Sequence, residues 1–240
     1  MPREAATSAR PVRRPPSWLG TVALVVKKDL TIELRSGEVL VTSGFFGVLV
    51  VILGSLAFYI GAETRSQVAA GVIWLAVAFA AVLALGRLWH RERDESALEG
   101  LLVAPVSRSA LFAGKALGLL AFLTIIEAVV VPLSALFFSL DLLQSGVGLV
   151  AIAALATPGI AAVGTLFGAM TTRTSARDLV LAIVIFPLLS PTVLTAVVAT
   201  RELLGGATVG ELGDYFRILG VFDVTFTAAG LALFGTLLED

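Results

Sequence analysis

Few side chains in this sequence stand where they could do chemistry, and the most conspicuous is a carboxylate set in hydrocarbon. Glu127 lies about half-way along an apolar run at 116–140, where an ionised carboxylate is costly unless it is paired, protonated or hydrated. Two roles suit it: a polar site at a subunit interface or in a substrate path, or a protonated glutamate bonded to a neighbouring helix as structural glue. Pro132, five residues on, frees a backbone carbonyl and opens the helix locally. His90 is the single histidine and stands beside Trp89 among Arg87, Arg91 and Arg93, which reads as a solvated or packing residue rather than a haem ligand. Asp223, near the outer start of the last apolar run, is expected at headgroup depth.

Several chemistries are excluded outright. With no cysteine, there can be no disulfide, thiolate metal site, covalent haem attachment or thiol catalysis. A phosphate-binding loop needs G-x-x-x-x-G-K-[ST]. The only Gly-Lys pair is Gly114-Lys115, and it has Ser109 in place of the first glycine and is followed by Ala116. The chain therefore carries no ATP site of its own in that form. No nucleophile–base pair or metal cluster is visible, so an enzyme is not expected, and no cofactor is expected to be bound directly. Nothing points to nucleic acid.

The remaining chemistry-bearing residues are concentrated between Arg87 and Lys115, a long charged stretch flanked by apolar ones. Ser96 and Glu99 have the S-x-x-E spacing of a capping box. Leu98, Leu101 and Leu102 then share one face, with Glu95 and Glu99 on or near the other, and Pro105 ends the helix after about two turns. Ser107 or Ser109 can cap the helix that follows. A short helix with an exposed apolar face suits docking into a groove on another protein. The plainer alternative is that the leucines pack on the ends of the chain's own spans.

The elements that position these residues are apolar. The chain is 58% hydrophobic and 15% charged, with mean hydropathy +0.98, far to the membrane side of a soluble domain. A helix needs about 20 mainly apolar residues to cross hydrocarbon. Six runs qualify, at roughly 42–61, 68–88, 116–140, 146–170, 179–200 and 218–238. They lack the alternation of barrel strands, so the fold expected is an all-α integral membrane protein. Pro158-Gly159 in the fourth run and Pro187 and Pro191 in the fifth predict kinks or breaks. If both termini face the cytoplasm, seven basic residues before residue 36, five in the 87–115 stretch and two at 171–178 lie inside. Only Arg65, Arg201 and Arg217 of the 17 then lie outside, which fixes the expected sidedness.

Residues 1–16 are basic and Pro-rich, without the apolar core of a signal peptide, and read as a disordered cytoplasmic tail. The 17–41 region is too charged to span. Leu19, Val22, Val26 and Leu30 recur at helical spacing there, with Lys27, Lys28, Thr31 and Arg35 towards the other side, which predicts a helix in the interface anchored by Trp18. The six-span domain then covers 42–240, with a cytoplasmic coupling loop at 89–115. Residues 201–217 read as an extracytoplasmic loop with a short interfacial helix.

Three stretches together carry a family likeness: KDLTIELRSGEVL before the first span, RERDESALEGLLVAPVSRSALFAGK between the second and third, and IIEAVVVPLSALFF in the third. They resemble the CcmB family (heme exporter protein B), six-span permeases of the ABC-2 type in cytochrome c biogenesis. The resemblance covers most of 27–140; the later spans match weakly, and the basic leader is an extension. It implies a permease subunit in a bacterial inner membrane, paired as a homodimer and driven by a separate ATP-binding subunit. It further implies a haem-handling membrane protein and a haem chaperone as partners, with haem as the cargo of the complex, and it places residues 95–105 where such transporters carry a coupling helix. An ABC-2 exporter of another cargo (lipid, glycan or drug) and an ATPase-independent carrier or scaffold are the alternatives.

Overall fold

The computed structural model describes residues 16–58, 62–94, 106–170 and 177–239, all helical apart from short connections. Among these residues there are seven α-helices: α1 (Trp18–Ser36), α2 (Glu38–Ala57), α3 (Ala62–Asp94), α4 (Arg108–Phe138), α5 (Leu142–Met170), α6 (Arg177–Leu204) and α7 (Gly213–Glu239). All but α1 contain a stretch long and apolar enough to cross a membrane. The protein is a multi-pass, all-α membrane protein. The basic tail 1–15 lies outside the described residues.

Local chemistry sets the helix ends. The Ser17 hydroxyl accepts the Gly20 N–H and starts α1. Gly37, at φ 64°, ends it by donating its N–H to the Glu33 carbonyl, a left-handed turn that glycine makes without steric cost. The same residue precedes α2, so α1 and α2 meet at a single glycine joint. Of the two candidate caps for α4, Ser107 is the one used, accepting the Ala110 N–H. Asp141 caps α5 by accepting from Leu143 and Gln144.

Several expected boundaries move. The first span starts at Glu38 rather than 42, its leading carboxylate paired with Arg87 at 2.6 Å. The helices reach into both ends of the stretch expected as a coupling loop, 89–115: α3 runs on through Trp89–Asp94 and α4 begins at Arg108. Arginine and glutamate are good helix formers and no glycine or proline interrupts them. Around Pro158, Pro187 and Pro191 the helices continue unbroken. The expected 201–217 loop shrinks to residues 205–212, since α6 runs to Leu204 and a 3₁₀ turn, Val209–Leu212, leads into α7. Thr208 and Glu211 form a reciprocal capping box on that turn.

Two helices are central. In α3, 67% of the spanning window is buried, and in α5 56%, whereas α7 has only 17%. With little hydrophobic drive between helices in lipid, close packing holds such a bundle. Large side chains from one helix fill glycine notches on another: Leu85 against Gly164, Trp89 against Gly168, Leu203 against Gly148 and Phe112 against Gly230. Across α3 and α6, the buried Trp74 indole N–H donates to Thr200 Oγ1 at 2.8 Å.

The Gly230 notch has a measurable consequence. A Cβ there would overlap the outer edge of the Phe112 ring, and Phe112 is itself buried and tilted against Phe234, with centroids 5.5 Å apart. Gly230→Ala should therefore destabilise by about 1–3 kcal/mol through overpacking. Thermal melting in detergent checks this, and Phe112→Leu in the same chain should restore part of the loss.

Candidate functional site

The polar residues that the fold brings together lie in two places. The first is the seam between α1 and the first three turns of α4. The expected apolar face of α1 is displaced: its buried stripe is Thr21, Val22, Val25, Asp29 and Glu33, whereas Leu19 is 72% exposed. The reason is a partner that the sequence pattern does not include. Lys115, near the start of α4, reaches Asp29 at 2.9 Å to Oδ2 and 3.1 Å to Oδ1. Both side chains are buried, 4% and 2% exposed. Glycines allow the approach: a Cβ at Gly114 would sit 2.6 Å from the Val25 Cβ, and Gly118 lies against Asp29. Trp18 closes the seam by donating its indole N–H to Ser109. Along α4 the contacts run in order from Ser109 to Gly118 as α1 runs from Trp18 to Asp29, so the two helices lie side by side in the same direction. At the far end of α1, Glu33 Oε1 accepts the Leu40 N–H at 2.7 Å, joining α1 to the first turn of α2. Helix α1 thus ties the start of the third span to the start of the first.

The second place is the middle of α5. Glu127, buried in α4, accepts a 2.6 Å hydrogen bond from the hydroxyl of Thr157, a partner not identifiable from sequence. Two residues further along α5, Gly159 leaves a notch occupied by Asp223 of α7. Asp223 Oδ1 stands 2.5 Å from where a Gly159 Cβ would lie, with the buried methyl of Thr192 close by. Two residues on a helix are about 3 Å apart along the axis and on roughly opposite flanks. The two carboxylates therefore grip α5 from opposite sides at one depth. Asp223, ten residues into α7, thus stands at the same level of the bundle as Glu127. An acidic residue in an apolar helix gave a signal, but only the helix crossing sets its depth.

The expected coupling residues Glu95, Leu98, Glu99, Leu101, Leu102 and Pro105 lie outside the described residues, as does the His90 side chain. They fall between Asp94 at the end of α3 and Ser107 at the cap of α4. No cluster of three or more histidine or acidic groups able to hold a metal occurs among the described residues.

Comparison with known proteins bears directly on this arrangement. A family model described as CcmB protein matches residues 21–236, taking in the α1 carboxylates, Lys115, Glu127, Asp223 and all six candidate spans. The chain belongs to the CcmB family. Within that family it is similar to a heme exporter protein B of Bradyrhizobium diazoefficiens, 27% identical over 82% of this chain and 88% of the relative. A heme exporter protein B of Paracoccus denitrificans is 29% identical, over 88% and 93%. One from Haemophilus influenzae is 27% identical, over 72% and 77%. The resemblance read from residues 27–140 therefore extends over nearly the whole CcmB-family chain, including the last spans.

For Glu127 the geometry predicts a graded response. Glu127→Gln retains an acceptor for the Thr157 hydroxyl and should melt like the parent. Glu127→Leu removes it and should cost about 1 kcal/mol, as interhelical hydrogen bonds in membranes do. Thermal melting in detergent measures both.

Proposed function

We propose that this chain is the membrane-spanning permease subunit of an ABC-type complex for cytochrome c maturation, serving haem export or the release of a haem-loaded chaperone. It is a transport component and not an enzyme. A separate ATP-binding subunit supplies the energy, two copies of the chain pair in the complex, and a haem-handling membrane protein and a haem chaperone are its other partners. The observation that carries this reading is the CcmB family match over residues 21–236. The six candidate spans are consistent with it, and so is the missing P-loop, with Ser109 and Ala116 where glycine and a hydroxyl residue are required.

In this reading the membrane is a bacterial inner membrane with both termini cytoplasmic, supported by the distribution of lysine and arginine. Glu95, Leu98, Glu99, Leu101, Leu102 and Pro105 form the contact with the ATPase. Force applied there arrives at the start of α4, which Lys115 and Asp29 bind to α1. Glu127 serves as the intramembrane polar site.

The test is a mild-detergent pull-down of the tagged, full-length chain with mass spectrometry of whatever co-purifies. An ATP-binding subunit together with a haem-handling membrane protein is the expected result. An ATPase without haem-related partners would leave a permease of different cargo, and no ATPase from intact complexes would remove the coupling role of residues 95–105.

A further inference from the structure

Helix α1 separates its charges. Its two acids, Asp29 and Glu33, are turned into the bundle and buried, whereas Lys27 and Arg35 stand exposed. A helix turns by about 100° per residue, so Lys27 and Thr31 fall within about 20° of the line opposite Asp29, and Leu24, Leu34 and Arg35 within about 60°. Leu24 is 58% and Leu34 82% exposed on that face. Neither Lys27 nor Arg35 has an acidic partner among the described residues. Glu38, the next acid along the chain, is bound to Arg87.

Packing sets the level of this face. Phe234 touches both Phe112 and Trp89, and Trp89 is the last residue of the apolar window of α3. Helix α1 runs beside α4 from Ser109 to Gly118, so it straddles the border at which the apolar stretches end. Polar headgroups occupy such a border. A side turned wholly to water has no use for exposed leucines, and one turned wholly to hydrocarbon has none for unpaired cations. Anionic headgroups above acyl chains meet both needs. The leader cannot supply the missing negative charge, since residues 1–15 hold Arg3, Arg10, Arg13 and Arg14 against Glu4 alone.

We propose that the outward face of α1, Leu24, Lys27, Leu34 and Arg35 around Thr31, is a binding surface for anionic phospholipid. The Lys27 ammonium and the Arg35 guanidinium donate to headgroup phosphates, and the two leucines enter the upper acyl carbons. This goes beyond an interfacial placement of α1, because the surface selects lipids by charge. It is also distinct from the coupling loop and stands whether or not the ATPase reading does.

The full-length chain has no cysteine, so Thr31→Cys gives a single labelling site for bimane. The labelled protein is reconstituted in phosphatidylcholine bilayers with a minor share of phosphatidylglycerol. The bromine quencher is carried on the phosphatidylglycerol in one sample and on an equal amount of phosphatidylcholine in the other, so headgroup composition is the same in both. Brominated phosphatidylglycerol is expected to contact the label about fivefold more than brominated phosphatidylcholine does, and high salt should reduce the ratio. At Val150→Cys, 69% exposed on the uncharged helix α5, the two lipids should quench equally. Lys27→Gln with Arg35→Gln should abolish the preference at Thr31 without changing the melting temperature, and Lys27→Arg with Arg35→Lys should keep it. Equal quenching at Thr31 in the parent, or a preference that survives the double glutamine variant, would overturn the proposal. So would a disulfide between two copies at Thr31→Cys, or shielding of the label only when an ATP-binding subunit is added, since either gives the face to a protein.

Discussion

Lys115→Met is expected to lower the stability of the folded bundle by about 3–5 kcal/mol, the cost of leaving a buried charge without its partner. The methionine would fill the space of the lysine stem, so the loss would come from Asp29, whose side chain is 2% exposed and would face α4 alone. Lys28 lies 3.4 Å from Asp29 but is itself 36% exposed, and a solvated ammonium compensates a buried carboxylate weakly. Thermal melting in detergent, followed by tryptophan fluorescence, measures the loss, and limited proteolysis should show α1 opening first. Removing both charges together, as Asp29→Leu with Lys115→Met, should recover most of the stability, because a buried ion pair can be replaced by apolar groups at little net cost. Equal melting of parent and Lys115→Met would show that the pair contributes nothing.

The second large effect is expected at Leu101. In the proposed function its side chain belongs to the apolar face that docks on the ATPase. A charge placed at the centre of such a contact costs about 2 kcal/mol or more, a roughly 30-fold weaker complex. Leu101→Asp should therefore lose the ATP-binding subunit in pull-downs while the chain inserts and melts normally. If the leucines instead pack on the chain's own spans, melting will fall and ATPase recovery per folded chain will not. An ATPase-independent carrier would keep its function in both respects.

The bundle was legible because hydrocarbon thickness dictates it: 20-residue apolar runs are visible without knowing what they touch. Caps were legible for the same local reason, as at Ser17 and Ser107. What was hidden depends on crossings. The buried stripe of α1 could not be read from apolar periodicity because two of its members are Asp29 and Glu33, and Asp29 is buried only because Lys115, 86 residues away, arrives beside it. Thr157 as the partner of Glu127 was hidden in the same way, and so was the Gly159 notch that receives Asp223. At Pro158, Pro187 and Pro191 the backbone loses hydrogen bonds, yet the helices run on without a break, since neighbouring helices and local adjustments can satisfy the freed groups.

The distance between Asp29 and Lys115 along the chain also sets an order of events during synthesis. Helix α1 leaves the ribosome first, yet the surface it docks on is not made until 86 residues later. At about 5–20 residues per second, that is a wait of roughly 4–17 s. During that interval Asp29 has only its sequence neighbour Lys28 for company, and two spans must insert before α4 begins. The α1 seam is consequently a late-closing joint, completed after the third span is in place, and a nascent chain stalled before Lys115 should still expose α1 to protease.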